Sequence, residues 1–143
     1  MSADIRIAHL FPGFGDDAGD IQGDITNADN SHTFTVELAA NRQDRAQGLM
    51  YRRTLAPDAG MLFDYGAPVR IAMWMKNTLI PLDMLFVDEY GVITHIARWM
   101  TPLSLETISS KGPARAVIEI KGGMTERFGI MPGDIVIHRT FEP

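Results

Sequence analysis

One stretch of the chain gathers side chains that could do chemistry: Met73-Trp74-Met75-Lys76-Asn77-Thr78-Leu79-Ile80-Pro81-Leu82-Asp83. Lysine, asparagine, threonine and aspartate meet a tryptophan where two apolar segments join. Asp83 stands out, because a carboxylate within an apolar strand is costly to bury unless a partner compensates it. Lys76 or an arginine of the 42–53 region supplies a charge for that role, and Asn77 supplies a hydrogen bond. An aromatic wall with a few convergent polar groups is the usual make-up of a small-molecule site. Trp74, Lys76, Asn77, Asp83 and Arg45 therefore form a candidate ligand-binding set. A structural reading competes with it. Asparagine and aspartate often bond nearby backbone in turns, and Asp83 and Asn77 would then fasten the connection between two strands.

Glu119 is the second carboxylate of interest. Strand alternation places it opposite Ala116, Ile118 and Ile120. In a curved sheet that face could line a cavity shared with Asp83, and two carboxylates in one site have pKa values pushed apart. Asp83 and Glu119 are thus the candidate catalytic pair of a hydrolase-like enzyme, with Lys76 or Asn77 stabilising developing charge. The plain alternative is a solvated strand residue beside Lys121.

The chain has nine methionines, and Met50, Met61, Met73, Met75 and Met84 fall near expected core faces. Thioethers can hold copper(I), although methionine more commonly fills irregular gaps in a core. The four histidines, His9, His32, His95 and His138, show no ligand spacing. No metalloprotease, nucleophile-elbow, P-loop or dinucleotide-binding motif is present. Asp16, Asp17, Asp20 and Asp24 resemble a calcium loop in composition only, without EF-hand spacing. No cofactor and no metal are expected.

With 143 residues, 45% hydrophobic and 22% charged, the sequence reads as one ordinary globular domain. A chain of this length can bury about two-thirds of its unfolded surface. The absence of cysteine removes disulfides, thiolate nucleophiles and iron–sulfur ligation together. A net charge of −5 with scattered basic residues, the nearest approach to a cluster being Arg42, Arg45, Arg52 and Arg53, argues against nucleic-acid binding. No apolar run reaches the length of a membrane span, and Met1–Leu10 is too polar and short for a signal peptide. A small-molecule ligand is the expected partner.

These residues need elements to position them. A short alternating stretch at Asp4–Leu10 suits an edge strand. The Gly-, Asp- and Asn-rich segment 12–31 suits a loop, so residues 1–31 read as a flexible arm and 32–143 as the globular domain. His32–Leu38 alternates as a half-buried strand. Asn41 is a helix N-cap with Asp44 three residues on, opening a helix to about Arg53. Gly48 inside that helix points to close approach of another backbone. Strands follow at Met61–Tyr65, Val69–Asn77, Leu82–Val87 and Val92–Trp99, the last two joined by a turn at Asp88–Gly91. Met100–Pro113 reads as a surface connection, Ala116–Lys121 as a strand, Thr125–Phe128 as a helical turn ended by Gly129, and Ile135–Phe141 as the last strand. Short links between strands favour an α+β, β-rich fold. It would have a strongly curved mixed or antiparallel sheet, closing toward a barrel, with one main helix and a short helical turn.

Taken together, Gly48-Leu49-Met50-Tyr51-Arg52, Gly60-Met61-Leu62-Phe63, Trp74-Met75-Lys76-Asn77-Thr78 with Pro81-Leu82-Asp83, then Gly123 and Gly133-Asp134, resemble the bacterial and archaeal family known as domain of unknown function 192. The likeness runs from about His32 to Thr140. It implies a compact β-rich domain with a helix or two, often exported and so periplasmic or otherwise outside the cytoplasm; a cytoplasmic location is the alternative. It implies no reaction. Carried over by position, the family's polar signature falls on Arg45, Arg52, Lys76, Asn77, Asp83, Glu119 and Asp134. The leading expectation is a binding or accessory domain. The hydrolase-like enzyme, the copper(I) protein and a wholly structural signature are the alternatives.

Overall fold

The computed structural model describes residues 2–10 and 31–143, so the loop expected over 12–31 and its aspartates lie almost wholly outside the described residues. Seven strands form one curled sheet: β1 (Ser2–Ala8), β2 (Ser31–Ala39), β3 (Ala59–Met73), β4 (Leu82–Val87), β5 (Ile93–Met100), β6 (Ile108–Lys121) and β7 (Ile135–Ile137). Among the described residues there are also two short helices, α1 (Arg42–Gln47) and α2 (Met124–Arg127), and a 3-10 turn at Arg139–Phe141. The order across the sheet is β5-β4-β6-β3-β2-β1-β7. Only β2 and β3 run parallel, and α1 lies in the crossover that a parallel pair requires.

The curvature brings the two outer strands together at one end. Val92 bridges Ile135, Val136 N donates to Gly91 O at 2.7 Å, and Ile93 N donates to Asp134 O at 2.9 Å. The result is a half-barrel with one corner stitched.

Both faces of the sheet are packed. One apolar cluster takes side chains from all seven strands, among them Ile5, Phe34, Leu62, Leu85, Ile93, Ile118, Ile120 and Val136. A second lies on the opposite face of the middle strands and holds Met61, Phe63, Met84, Phe86 and Val117, with Leu49 from the crossover. This explains why β4 is buried at every position.

Several local readings change. β1 is not an edge strand of a loose arm. It pairs with β2 on one side and β7 on the other, and Ile5 and Ile7 are fully buried. The stretches read as two strands around Gly66–Pro68 are one strand, β3, whose pairing with β6 slips between Asp64 and Val69. β6 begins at Ile108, so much of the presumed surface connection is sheet. The last strand is only Ile135–Ile137, because the chain turns at Arg139. Asn41 does cap α1, accepting from Asp44 N at 2.7 Å. The helix stops at Gln47 because Gly48 leaves helical space at φ 51°. Gly48 is therefore a terminator, and a Cβ there would meet the Phe63 ring at 3.0 Å, a side chain and not another backbone.

Gly60 is where two backbones meet. It pairs with Ile120 across β3 and β6, and a Cβ on it would lie 2.3 Å from the Glu119 carbonyl oxygen. A rigid strand cannot yield there, so Gly60→Ala is expected to destabilise the protein by roughly 1–3 kcal/mol or more. Urea unfolding measures this, and an unchanged midpoint would show that the two strands can part without cost.

Candidate functional site

Asp83 is enclosed and fully paired. It is 0% exposed and accepts four hydrogens: from Trp99 N at 2.9 Å, Gly123 N at 3.2 Å, Thr125 N at 3.0 Å and Thr125 Oγ1 at 2.7 Å. The companions that compensate the carboxyl are backbone amides and a hydroxyl, not Lys76 or an arginine. The groups come from three places: the end of β5, the glycine turn after β6, and α2. Trp99 reaches the carboxyl by adopting φ 55°, and its indole packs over Gly123, where a Cβ would come within 2.6 Å. Asp83 therefore ties a corner of the fold and leaves the candidate ligand-binding set.

Asn77 leaves it too. At φ 56° it faces Tyr51, itself at φ 68°. Tyr51 N donates to Asn77 O at 2.8 Å, and Asn77 Nδ2 donates to the Tyr51 hydroxyl at 2.9 Å. Two strained residues hold one another in place and join the segment after α1 to the segment after β3.

The proposed carboxylate pair does not exist. Asp83 is level with Ile120 on the neighbouring strand, and Glu119 is level with Met84. Adjacent positions on a strand point to opposite faces. Asp83 thus belongs to the side of Ile118 and Ile120, whereas Glu119 lies on the side of Met84, Phe86 and Val117. The sheet stands between them, so they cannot serve one substrate as acid and base.

Glu119, Arg45, Trp74 and Lys76 do converge. They line an open cleft of about 350 Å³ together with Arg42, Gly48, Leu49, Met50, Phe63, Tyr65, Ala72, Met73 and Thr78. α1 and the turn after it form one wall, and the end of β3 with the segment following forms the other. Glu119, from β6, is only 4% exposed, and among the described residues no hydrogen bond reaches its carboxyl. Burial pushes its pKa up to about 8, so at neutral pH it is mainly the protonated acid, able to donate as well as accept. Tyr65, beside it, is also raised, first by burial, with Arg45 opposing and Glu119 adding to the shift. Its hydroxyl donates to Met73 Sδ at 3.5 Å.

The cations of the cleft are placed in two ways. Lys76 lies 5.1 Å from the centre of the Trp74 ring, and that ring is 47% exposed. Arg45 sits 4.8 Å from the centre of the Tyr65 ring, and its Nη1 donates to Ala40 O at 2.9 Å and Asp64 O at 3.0 Å.

Other signature residues act elsewhere. Arg52 forms a two-pronged ion pair with Glu37 of β2, through Nη1 to Oε2 and Nη2 to Oε1, and the arginine's hydrogen bonds hold the Glu37 pKa down. Asp134 accepts from Met131 N at 2.9 Å and lies 3.0 Å from His9 Nδ1. His9 Nε2 is in turn 3.2 Å from His32 Nε2. Burial, followed by the neighbouring His9, lowers the His32 pKa. This Asp–His–His row was invisible in the sequence because its members lie far apart along it; the pairing of Ile7 with His32 brings the rings together. Among the described residues, no group of three or more His, Cys, Asp or Glu side chains is placed to hold a metal ion. Met61, Met75 and Met84 are buried filling. Met50 and Met73 reach the cleft wall, where an amide nitrogen and a phenol already meet their sulfurs. No helix among the described residues is long and apolar enough to cross a membrane.

The fold recurs in solved structures. A protein from Sinorhizobium meliloti, provisionally described as a transcription regulator, superposes with a TM-score of 0.83 at 38% identity, over 98% of this chain and 95% of that one. A protein of unknown function from Novosphingobium aromaticivorans superposes with a TM-score of 0.80 at 31% identity, over 96% of this chain and 85% of that one. No curated protein matches the sequence. The model of the family DUF192, described as an uncharacterized ACR, matches residues 24–138, through Glu119, Lys76 and the Asp83 corner alike, and the chain belongs to that family.

Proposed function

We propose that this domain binds a small molecule in the cleft between α1 and the end of β3, with Glu119 at the floor and Arg45, Trp74 and Lys76 on the walls. One observation carries the reading: the carboxyl of Glu119, a residue only 4% exposed, makes no hydrogen bond among the described residues, and its oxygens open onto a concavity, where they are free to bond a molecule that enters. The left-handed Tyr51 and Asn77 support the same reading, because backbone strain held by mutual hydrogen bonds is characteristic of sites kept in a fixed shape. Transcription regulation, said provisionally of the Sinorhizobium protein, would reach this chain as nucleic-acid binding, which its charge of −5 does not favour.

The test is a fragment screen followed by amide chemical-shift mapping. Binders are expected to move the signals of Gly48, Met73, Lys76 and Glu119, and Glu119→Leu is expected to abolish those shifts while leaving the fold intact. Binders that map only to other surfaces would overturn the proposal.

A further inference from the structure

The walls of the cleft say what kind of molecule would enter. Arg42, Arg45 and Lys76 all line it. The ion pairs among the described residues are His9–Asp134, Arg52–Glu37 and Arg115–Asp64, so none of the three cleft cations is in direct contact with a carboxylate, although Arg45 is near enough to Asp64 to help Arg115 lower that carboxyl's pKa. Glu119, the acid within the cleft, does not offset them, since nothing but burial moves its titration and no cation lies close enough to hold it ionised. The cleft therefore presents positive charge above an uncharged floor.

Arg45 gives this charge a direction. Its Nη1 is occupied by the carbonyls of Ala40 and Asp64, and its Cζ lies 4.8 Å from the centre of the Tyr65 ring. Its Nε and Nη2, the edge that matches a carboxylate or phosphate side-on, have no partner among the described residues. The same molecule shows that edge in use: Arg115 grips Asp64 with Nε at 2.9 Å and Nη2 at 3.5 Å. In Arg45 the guanidinium is tethered by Nη1 at the cleft wall, which leaves Nε and Nη2 able to donate. Beside it stand the half-exposed Trp74 ring and the partly buried Met73, an apolar surface for a flat body.

Resting on the small-molecule reading above, we infer that the ligand is a small organic oxyanion, a carboxylate or a phosphate ester, gripped by the free edge of Arg45 with Lys76 and Arg42 nearby, its apolar or aromatic body lying against Trp74. Carboxylates and phosphate esters share this recognition, so the experiment separates them.

The protein is titrated with benzoate, phenyl phosphate and their uncharged counterparts benzamide and benzyl alcohol, with amide and indole signals followed by NMR. At least one of the two anions is expected to move the cleft signals, with a tenfold or greater preference over its uncharged counterpart that diminishes as salt is raised. The anion that binds more tightly identifies the class. Arg45→Lys, which keeps the charge and loses the fork, is expected to weaken that anion about tenfold, a change of about 1.4 kcal/mol. Lys76→Met, at an exposed position that the fold does not need, is expected to weaken it less. If the uncharged compounds occupy the cleft as well as the anions do, the inference is wrong and the small-molecule reading stands. If none of the four probes moves a cleft signal, and the fragment screen maps elsewhere, both fall.

Discussion

Replacing Asp83 by alanine is expected to cost about 4 kcal/mol or more of folding stability. The carboxyl satisfies three backbone amides and the Thr125 hydroxyl, and each buried donor left without a partner costs roughly 1–3 kcal/mol. The hydroxyl can turn elsewhere, but the three amides cannot. Such a loss approaches the whole stability of many domains, roughly 5–15 kcal/mol. Asp83→Asn keeps one oxygen and the volume, and is expected to lose about half as much. Urea unfolding of the three proteins measures this. A loss below about 1 kcal/mol for the alanine variant would show that the corner holds without its carboxyl. Because Asp83 lies across the sheet from the cleft, the asparagine variant is expected to bind the cleft's ligand as the parent does.

The second large effect belongs to Glu119 and has the opposite sign at neutral pH. The folded protein keeps this proton up to about pH 8, whereas the unfolded chain releases it near the ordinary 4.5. Between those values the folded state binds the extra proton, so stability falls as pH rises, by roughly 1.4 kcal/mol per pH unit. The contribution is fully present below the unfolded value and is lost by about pH 8, where the folded protein must also ionise. Glu119→Gln lacks this slope. It is expected to match the parent near pH 4.5 and to exceed it increasingly toward pH 8 in urea midpoints. Parallel profiles for the two proteins would mean that the carboxyl is solvated and titrates normally. A residue that costs its own protein stability at working pH is most readily understood as one kept for binding.

The fold was largely readable because its signals are local. Alternation at His32–Leu38, the apolar run at Leu82–Val87 and the Asn41 cap each depend on neighbours in sequence, and each lies in the element expected of it. The misreadings concern β1, the single strand β3 read as two, and the lengths of β6, β7 and α1. Strands β1 and β6 are held by partners distant in sequence, and α1 is cut short by the backbone angle of a single glycine. The site was legible in part. Periodicity correctly set Glu119 on a different face from Ile118 and Ile120, and the density of polar residues around Trp74 drew attention to the right end of β3. What could not be read was register. Asp83 and Glu119 are both carboxylates on adjacent strands, and an offset of one position between partners puts one in a structural corner and the other in a cleft. Nor could the sequence show that Asp83's compensating groups are mostly backbone amides, since every residue except proline carries one.

The placement of β1 between β2 and β7 bears on how the protein is made. Arg6, Ile7 and Ala8 pair with Ile137, Val136 and Ile135, so β1 leaves the ribosome long before the strand that completes it. Until then β1 can pair with β2 alone, the corner between Val92 and Ile135 stays unstitched, and a row of unsatisfied backbone groups stays exposed. Pairings so distant in sequence slow folding, and an uncovered strand edge invites neighbouring chains to add to it. Nascent or truncated chains that lack residues 135–137 are therefore the species most in need of a chaperone.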